Sequence, residues 1–109
     1  MDMTYFPLFP KLLKDRGLKI AIVFVHEACK FEVWLAATNK QVQKEYWQLM
    51  KDSHWDKYQV LPSLQGEDAI LISLLVENPN FVDLDALTNQ IEQETVKFIK
   101  DIENFLSAH

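Results

Sequence analysis

Two apolar segments that fail to alternate constrain this chain more than anything else in it. Residues 18–26 read LKIAIVFVH and residues 68–77 read DAILISLLVE. Both are rich in Ile, Val and Leu and are bounded by turn-forming residues, which marks them as strands. A strand with one wet face alternates apolar and polar side chains, because successive side chains point to opposite sides. In the first segment Ile20, Ile22 and Phe24 point one way and Ala21, Val23 and Val25 the other. In the second, Ile70, Ile72, Leu74 and Val76 oppose Ala69, Leu71 and Leu75, with Ser73 the one interruption. A sheet built from them has two faces to bury.

The remaining elements follow from local signals. Residues 31–36 (FEVWLA) form a strand four residues after the first one, so the two make an antiparallel hairpin. Thr38 followed by Gln41 predicts a capping box. The helix it opens has Val42, Tyr46, Leu49 and Met50 on one face and ends near residues 52–53. Residues 55–61 (WDKYQVL) read as a short strand and 62–66 as a turn-rich loop. Asn78-Pro79-Asn80 ends the last strand, since proline lacks the ladder donor. Asp83 caps a final helix that runs to about Leu106, with Leu84, Leu87, Ile91, Phe98, Ile102 and Phe105 in its apolar stripe. Ahead of all this, residues 1–10 (MDMTYFPLFP) form an aromatic arm, in which Pro7 and Pro10 permit an edge strand and forbid a central one. Residues 11–16 allow one helical turn, closed by Gly17. The expected class is α+β, a mainly antiparallel sheet in β-β-α-β-β-α order, with a long C-terminal helix and an extended aromatic N-terminal arm.

At 109 residues the chain is expected to be one domain, 1–109. A single cysteine, Cys29, excludes an intrachain disulfide and agrees with a reducing cytoplasm. No apolar run approaches the ~18 residues of a membrane span, and no signal peptide is read at the start. Residues 1–57 carry nine Lys/Arg against seven Asp/Glu, whereas residues 58–109 carry two against nine, giving the net charge of −5. That balance argues against nucleic acid as a partner, because phosphate affinity rests on Lys and Arg.

Few residues point to chemistry. His26-x-x-Cys29 is half of a zinc site, with no second cysteine to complete it. Cys29 with a histidine lacks a third orienting group, and Glu32-Val33-Trp34 lacks the lysine of a metal-dependent nuclease. Only two glycines are present, in no phosphate-binding pattern. No catalytic residue, metal or cofactor is assigned. Two binding readings remain. Helices covering one face of the sheet would leave Val23, Val25, Trp34, Leu71 and Leu75 exposed on the other, a patch larger than monomers usually carry. A homodimer burying that face, or the aromatics Tyr5, Phe6 and Phe9, is the expected solution; cover from within the chain, by its arm or by one helix on each face, or by a ligand, is the alternative. The second reading is a small-molecule-binding protein or minor enzyme with an aromatic pocket lined by Trp34, Trp47, His54, Trp55 and Tyr58, with Asp56 and Glu32 at its polar tip.

Three stretches, MDMTYF-x-x-FP, LKIAIVFVHEACKFEVWLAATNKQVQKEYW and VENPNFVDLDALTNQIEQETVKFIKDIENFL, together resemble a bacterial protein family of unknown function over nearly the whole chain. The resemblance implies no catalytic motif. It also implies that longer members carry a helical segment ahead of the region matching Met1, and that a short version lacking it self-associates through the apolar surface left open.

Overall fold

The computed structural model describes residues 3–55, 57–58, 60–61 and 68–108. The elements are β1 (Met3–Leu8), α1 (Lys11–Asp15), β2 (Leu18–Val25), β3 (Lys30–Ala37), α2 (Lys40–Asp52), β4 (Ala69–Glu77) and α3 (Leu84–Ser107). The strands form one antiparallel sheet in the order β1-β2-β3-β4. The chain is α+β, as its patterning implies. The aromatic arm is itself the first strand, paired from Met3↔Val25 to Leu8↔Ile20. No strand forms from residues 55–61 among those described. An isolated bridge between Val60 and Leu71 stands in its place, and the loop expected at 62–66 lies outside the described residues, as does Asp56.

Turn chemistry sets the joints. Gly17 adopts φ +76°, which costs a residue without a side chain little. A Cβ there would also stand 3.3 Å from Val42. Its carbonyl accepts from the Thr38 backbone N–H at 2.9 Å and the Thr38 hydroxyl at 3.1 Å. Thr38 is therefore occupied outside α2, and the cap falls to Asn39, whose side chain accepts from the Val42 N–H at 2.9 Å. Asp83 caps α3 as expected, accepting from the Ala86 N–H at 3.1 Å.

The helices α2 and α3 pack on β3 and β4. The core beneath them contains Ile20 of β2, Val33 and Leu35 of β3, Met50 of α2, and Phe98, Ile102 and Leu106 of α3. β4 departs from the alternation expected of it. Phe31 pairs with Val76 but Glu32 with Leu74, and Leu35 pairs with Leu71 but Ala36 with Ala69. Leu75 and Ile70 are thus extra residues at two irregularities, which turn the strand. As a result the consecutive pairs Ile70-Leu71 and Leu75-Val76 all enter the helix-side core. Leu71 and Leu75 do not face the opposite side, as strict alternation predicts, and Leu74 is left half exposed.

The opposite face carries a smaller cluster of Ala21, Val23, Trp34 and Ala69, with Met3, Val25, Leu61 and Ile72 packed against it. Val23 is fully buried and Trp34 is 4% exposed. The face expected to need a partner is thus largely closed by its own chain. Tyr5 of β1 meets Trp34 edge-on at 5.4 Å, and Leu61 packs against the same cluster.

Candidate functional site

Four residues of the expected aromatic pocket divide between the two sides of the sheet, and the fifth, His54, packs in neither cluster. Trp34 belongs to the open-face cluster. Trp47, Trp55 and Tyr58 pack against the helix-side core. There the Trp55 ring stacks on Phe105 at 4.6 Å, and Tyr58 sits edge-on to Trp55 at 5.7 Å and to Phe98 at 4.9 Å. The Trp47 indole N–H donates to the Leu61 carbonyl at 2.7 Å, with the Lys51 ammonium 4.4 Å from its ring centroid. His54 is exposed, in a left-handed backbone conformation. Trp55 and Tyr58 thus pack the described residues that follow α2 against Phe98 and Phe105 of α3.

A polar clamp that sequence reading missed fastens the same junction. The Tyr58 hydroxyl donates to Asp101 Oδ2 at 2.6 Å, and the Lys57 ammonium lies 3.0 Å from Asp101 Oδ1. Burial, then the hydrogen bond to Asp101 and its negative charge, push the Tyr58 hydroxyl well above the ordinary tyrosine range. The hydrogen bond from Tyr58, with help from Lys57, holds the Asp101 carboxyl below the usual carboxylate range against the opposing effect of burial. A tyrosine so hard to ionise is unsuited to act as a general base; it works as a tether. Residues 43 apart in sequence give no local signal of such a pair.

The hairpin at 26–29 is tied to β1. The Thr4 hydroxyl and His26 Nε2 lie 2.8 Å apart, joining β1 to the turn, and the His26 ring sits 4.8 Å from Phe24. Glu32 accepts from the Trp34 indole N–H at 3.0 Å and pairs with Lys30 at 3.1 Å. Among the described residues no group of three or more His, Cys, Asp or Glu side chains is placed to hold a metal ion. No described helix is long and apolar enough to cross a membrane.

Two surface features among the described residues bear on binding. The first is a cleft of about 280 Å³ on the open face, lined by Tyr5, Pro7, Lys19, Ala21, Trp34, Ala36 and Asp68. Two cross-strand rows meet there, Pro7–Ala21–Trp34 and Lys19–Ala36–Ala69. Alanines at the centre of both rows leave the floor low. The Lys19 ammonium and Asp68 Oδ2, 2.9 Å apart, form the polar end.

The second feature is β1 itself. Tyr5, Phe6, Leu8 and Phe9 are 48%, 51%, 38% and 54% exposed. The N-terminal aromatics Tyr5, Phe6 and Phe9 are thus on the surface, whereas Val23 and Trp34 are buried by the chain. Tyr5 shares its side of the sheet with Trp34. Phe6 and Leu8, at alternate positions, lie on the side of their partners Ile22 and Ile20.

Compared with known proteins, residues 1–106 match the model of a domain of unknown function (DUF7000). No curated protein and no solved structure matches.

Proposed function

The chain belongs to the DUF7000 family, a domain of unknown function, and from its geometry we propose that it is a homodimeric interaction domain whose partner surface is the outer edge of β1. The carrying observation is that β1 is a terminal strand exposing apolar side chains on both of its sides, with no charged residue anywhere in 3–10. Exposed edges invite strand pairing, and proteins that keep them unpaired blunt them with lysines, other charges, bulges or cover. Here Pro7 is the one blunting device.

The absence of charge also favours a second copy as the occupant. A two-fold contact brings a strand against itself, and like charges directly opposite are unfavourable. A neutral strand of Thr, Tyr, Phe and Leu meets its own copy without that penalty, and aromatic cross-strand pairs contribute about 0.2–1 kcal/mol each. The half-exposed Tyr5, Phe6, Leu8 and Phe9 retain roughly half of the ~1.5–3 kcal/mol that full burial of each would supply. Counted on two protomers, that is on the order of 6–12 kcal/mol, comparable with the ~4–15 kcal/mol that association costs.

The test is native mass spectrometry with light scattering across a dilution series. Wild type is expected at twice 12.8 kDa. Phe6→Lys should give a folded monomer, because a charge at the centre of a two-fold strand contact opposes itself. Leu74→Lys, a charge at an equally exposed apolar site on β4, should leave the dimer intact. A wild-type monomer at high micromolar concentration overturns the proposal.

A further inference from the structure

The open-face cleft supports a binding role beside self-association. We propose that it binds a small, neutral nitrogen heterocycle whose edge sets a hydrogen-bond acceptor beside an N–H donor, as in a lactam or a single nucleobase. The shape comes first. Ala21 and Ala36 occupy adjacent strands on this face, while the helix side of the same strands carries Ile20, Ile22 and Leu35. Small side chains at the middle of a sheet leave a depression about one side chain deep. Trp34 and Tyr5 line it with rings at 81° to one another, and the half-exposed Tyr5 supplies the accessible apolar surface for a flat ring. Its volume of about 280 Å³ falls just below the ~300 Å³ at which drug-sized ligand sites begin. One ring system fits; a nucleotide with its sugar and phosphates does not.

The polar end sets the ligand's chemistry. An ammonium has three donors and a carboxylate about four acceptor sites, so the single contact between Lys19 and Asp68 leaves both with unused capacity. Lys19 is the more sheltered member, its side chain 27% exposed against 57% for Asp68. The pair therefore offers donor and acceptor side by side at no net charge. An anionic ligand would face Asp68, in a chain already at −5; a cationic one would face Lys19. A neutral ligand with acceptor and donor adjacent satisfies both groups and leaves the ion pair intact. Its apolar body then takes the space over the two alanines.

Uracil is the probe. Titrated into the 15N-labelled full chain and followed by amide and indole N–H shifts, it should give saturable changes centred on Ala21, Trp34 and Ala36. 1,3-Dimethyluracil, which keeps the ring and carbonyls but has no N–H, should bind at least tenfold more weakly. Lys19→Met keeps the stem and removes the donor; a lost hydrogen bond to a charged group should weaken uracil by about tenfold. Ala36→Leu fills the floor and should abolish binding, with an otherwise native spectrum. Phe6→Lys, on the other side of β1, should bind uracil as wild type does, which separates this site from the dimer contact. Absence of saturable shifts, equal binding of the dimethyl analogue, or unchanged affinity in a folded Lys19→Met variant each overturns the assignment.

Discussion

β1 and β4 are the two terminal strands of one sheet, and they are treated oppositely. β4 is packed by α2 and α3, kinked by two register irregularities and bridged by Val60. Five of its nine residues are buried. β1 is regular through six pairs, and its last four residues are all exposed. Irregularity, cover and short flanking pairings are the devices by which proteins close a sheet edge. The chain applies them at β4 and leaves β1 flat and apolar. An edge left open beside one so carefully closed points to β1 as a surface for use.

The largest effect that sharpens this contrast is expected at β4. Leu71 is fully buried under the helices, so Leu71→Ala removes transfer energy and opens a cavity, and should destabilise by about 2–5 kcal/mol. Urea unfolding measures it. A cost below about 1 kcal/mol would show that the β4 side is no better packed than the β1 side, and the contrast between the edges would fail.

The same irregularities explain where sequence reading stops. The faces of β2 and β3 were legible because both strands are regular: Ile20 and Ile22 part from Ala21 and Val23, and Val33 and Leu35 from Trp34, by alternation alone. In β4, one extra residue at Ile70 and another at Leu75 move two leucines to the other side, and nothing in AILISLLVE marks either site. The capping of α3 by Asp83 was legible for the opposite reason: the residue is free to cap. Thr38 satisfies the same local rule, but Gly17, distant in sequence, takes its hydroxyl. The separation of Trp34 from Trp47, Trp55 and Tyr58 was not legible, because helical and strand spacing do not say which side of a sheet a ring reaches. The open-face cleft rests on alanines at 21 and 36, whose adjacency depends on register, as does the approach of Lys19 to Asp68.

A smaller effect tests how α3 is held over β4. Tyr58→Phe removes the hydrogen bond to a charged carboxylate and should cost about 1.5–3 kcal/mol near neutral pH. The pH dependence has a definite sign on each side. The Tyr58 hydroxyl is shifted up on folding, so its contribution is complete below the unfolded tyrosine pKa of about 10 and declines as pH rises beyond that. The Asp101 carboxyl is shifted down, so its contribution is complete above the unfolded value of about 4 and is lost as pH falls through the folded one. Wild type and Tyr58→Phe should therefore differ most between about pH 5 and 9 and converge at both extremes. A difference constant from pH 3 to 11 would mean that the clamp does not bear on folding.

The smallest effect is expected on β1, and its dependence on concentration carries the information. Leu8 is 38% exposed, so Leu8→Ala leaves little cavity in a single chain and should cost less than about 1 kcal/mol when unfolding is measured at high dilution. A dimer stabilises the folded state by mass action, so wild-type stability should rise as protein concentration is raised. If Leu8 lies in the contact, Leu8→Ala should weaken that rise, and the gap between the two proteins should widen from dilute to concentrated samples. Leu74→Ala, a comparable loss of exposed apolar surface on the closed edge, should show the same small cost at every concentration. If both variants behave alike throughout, the openness of β1 has no bearing on association, and the two edges differ in packing only.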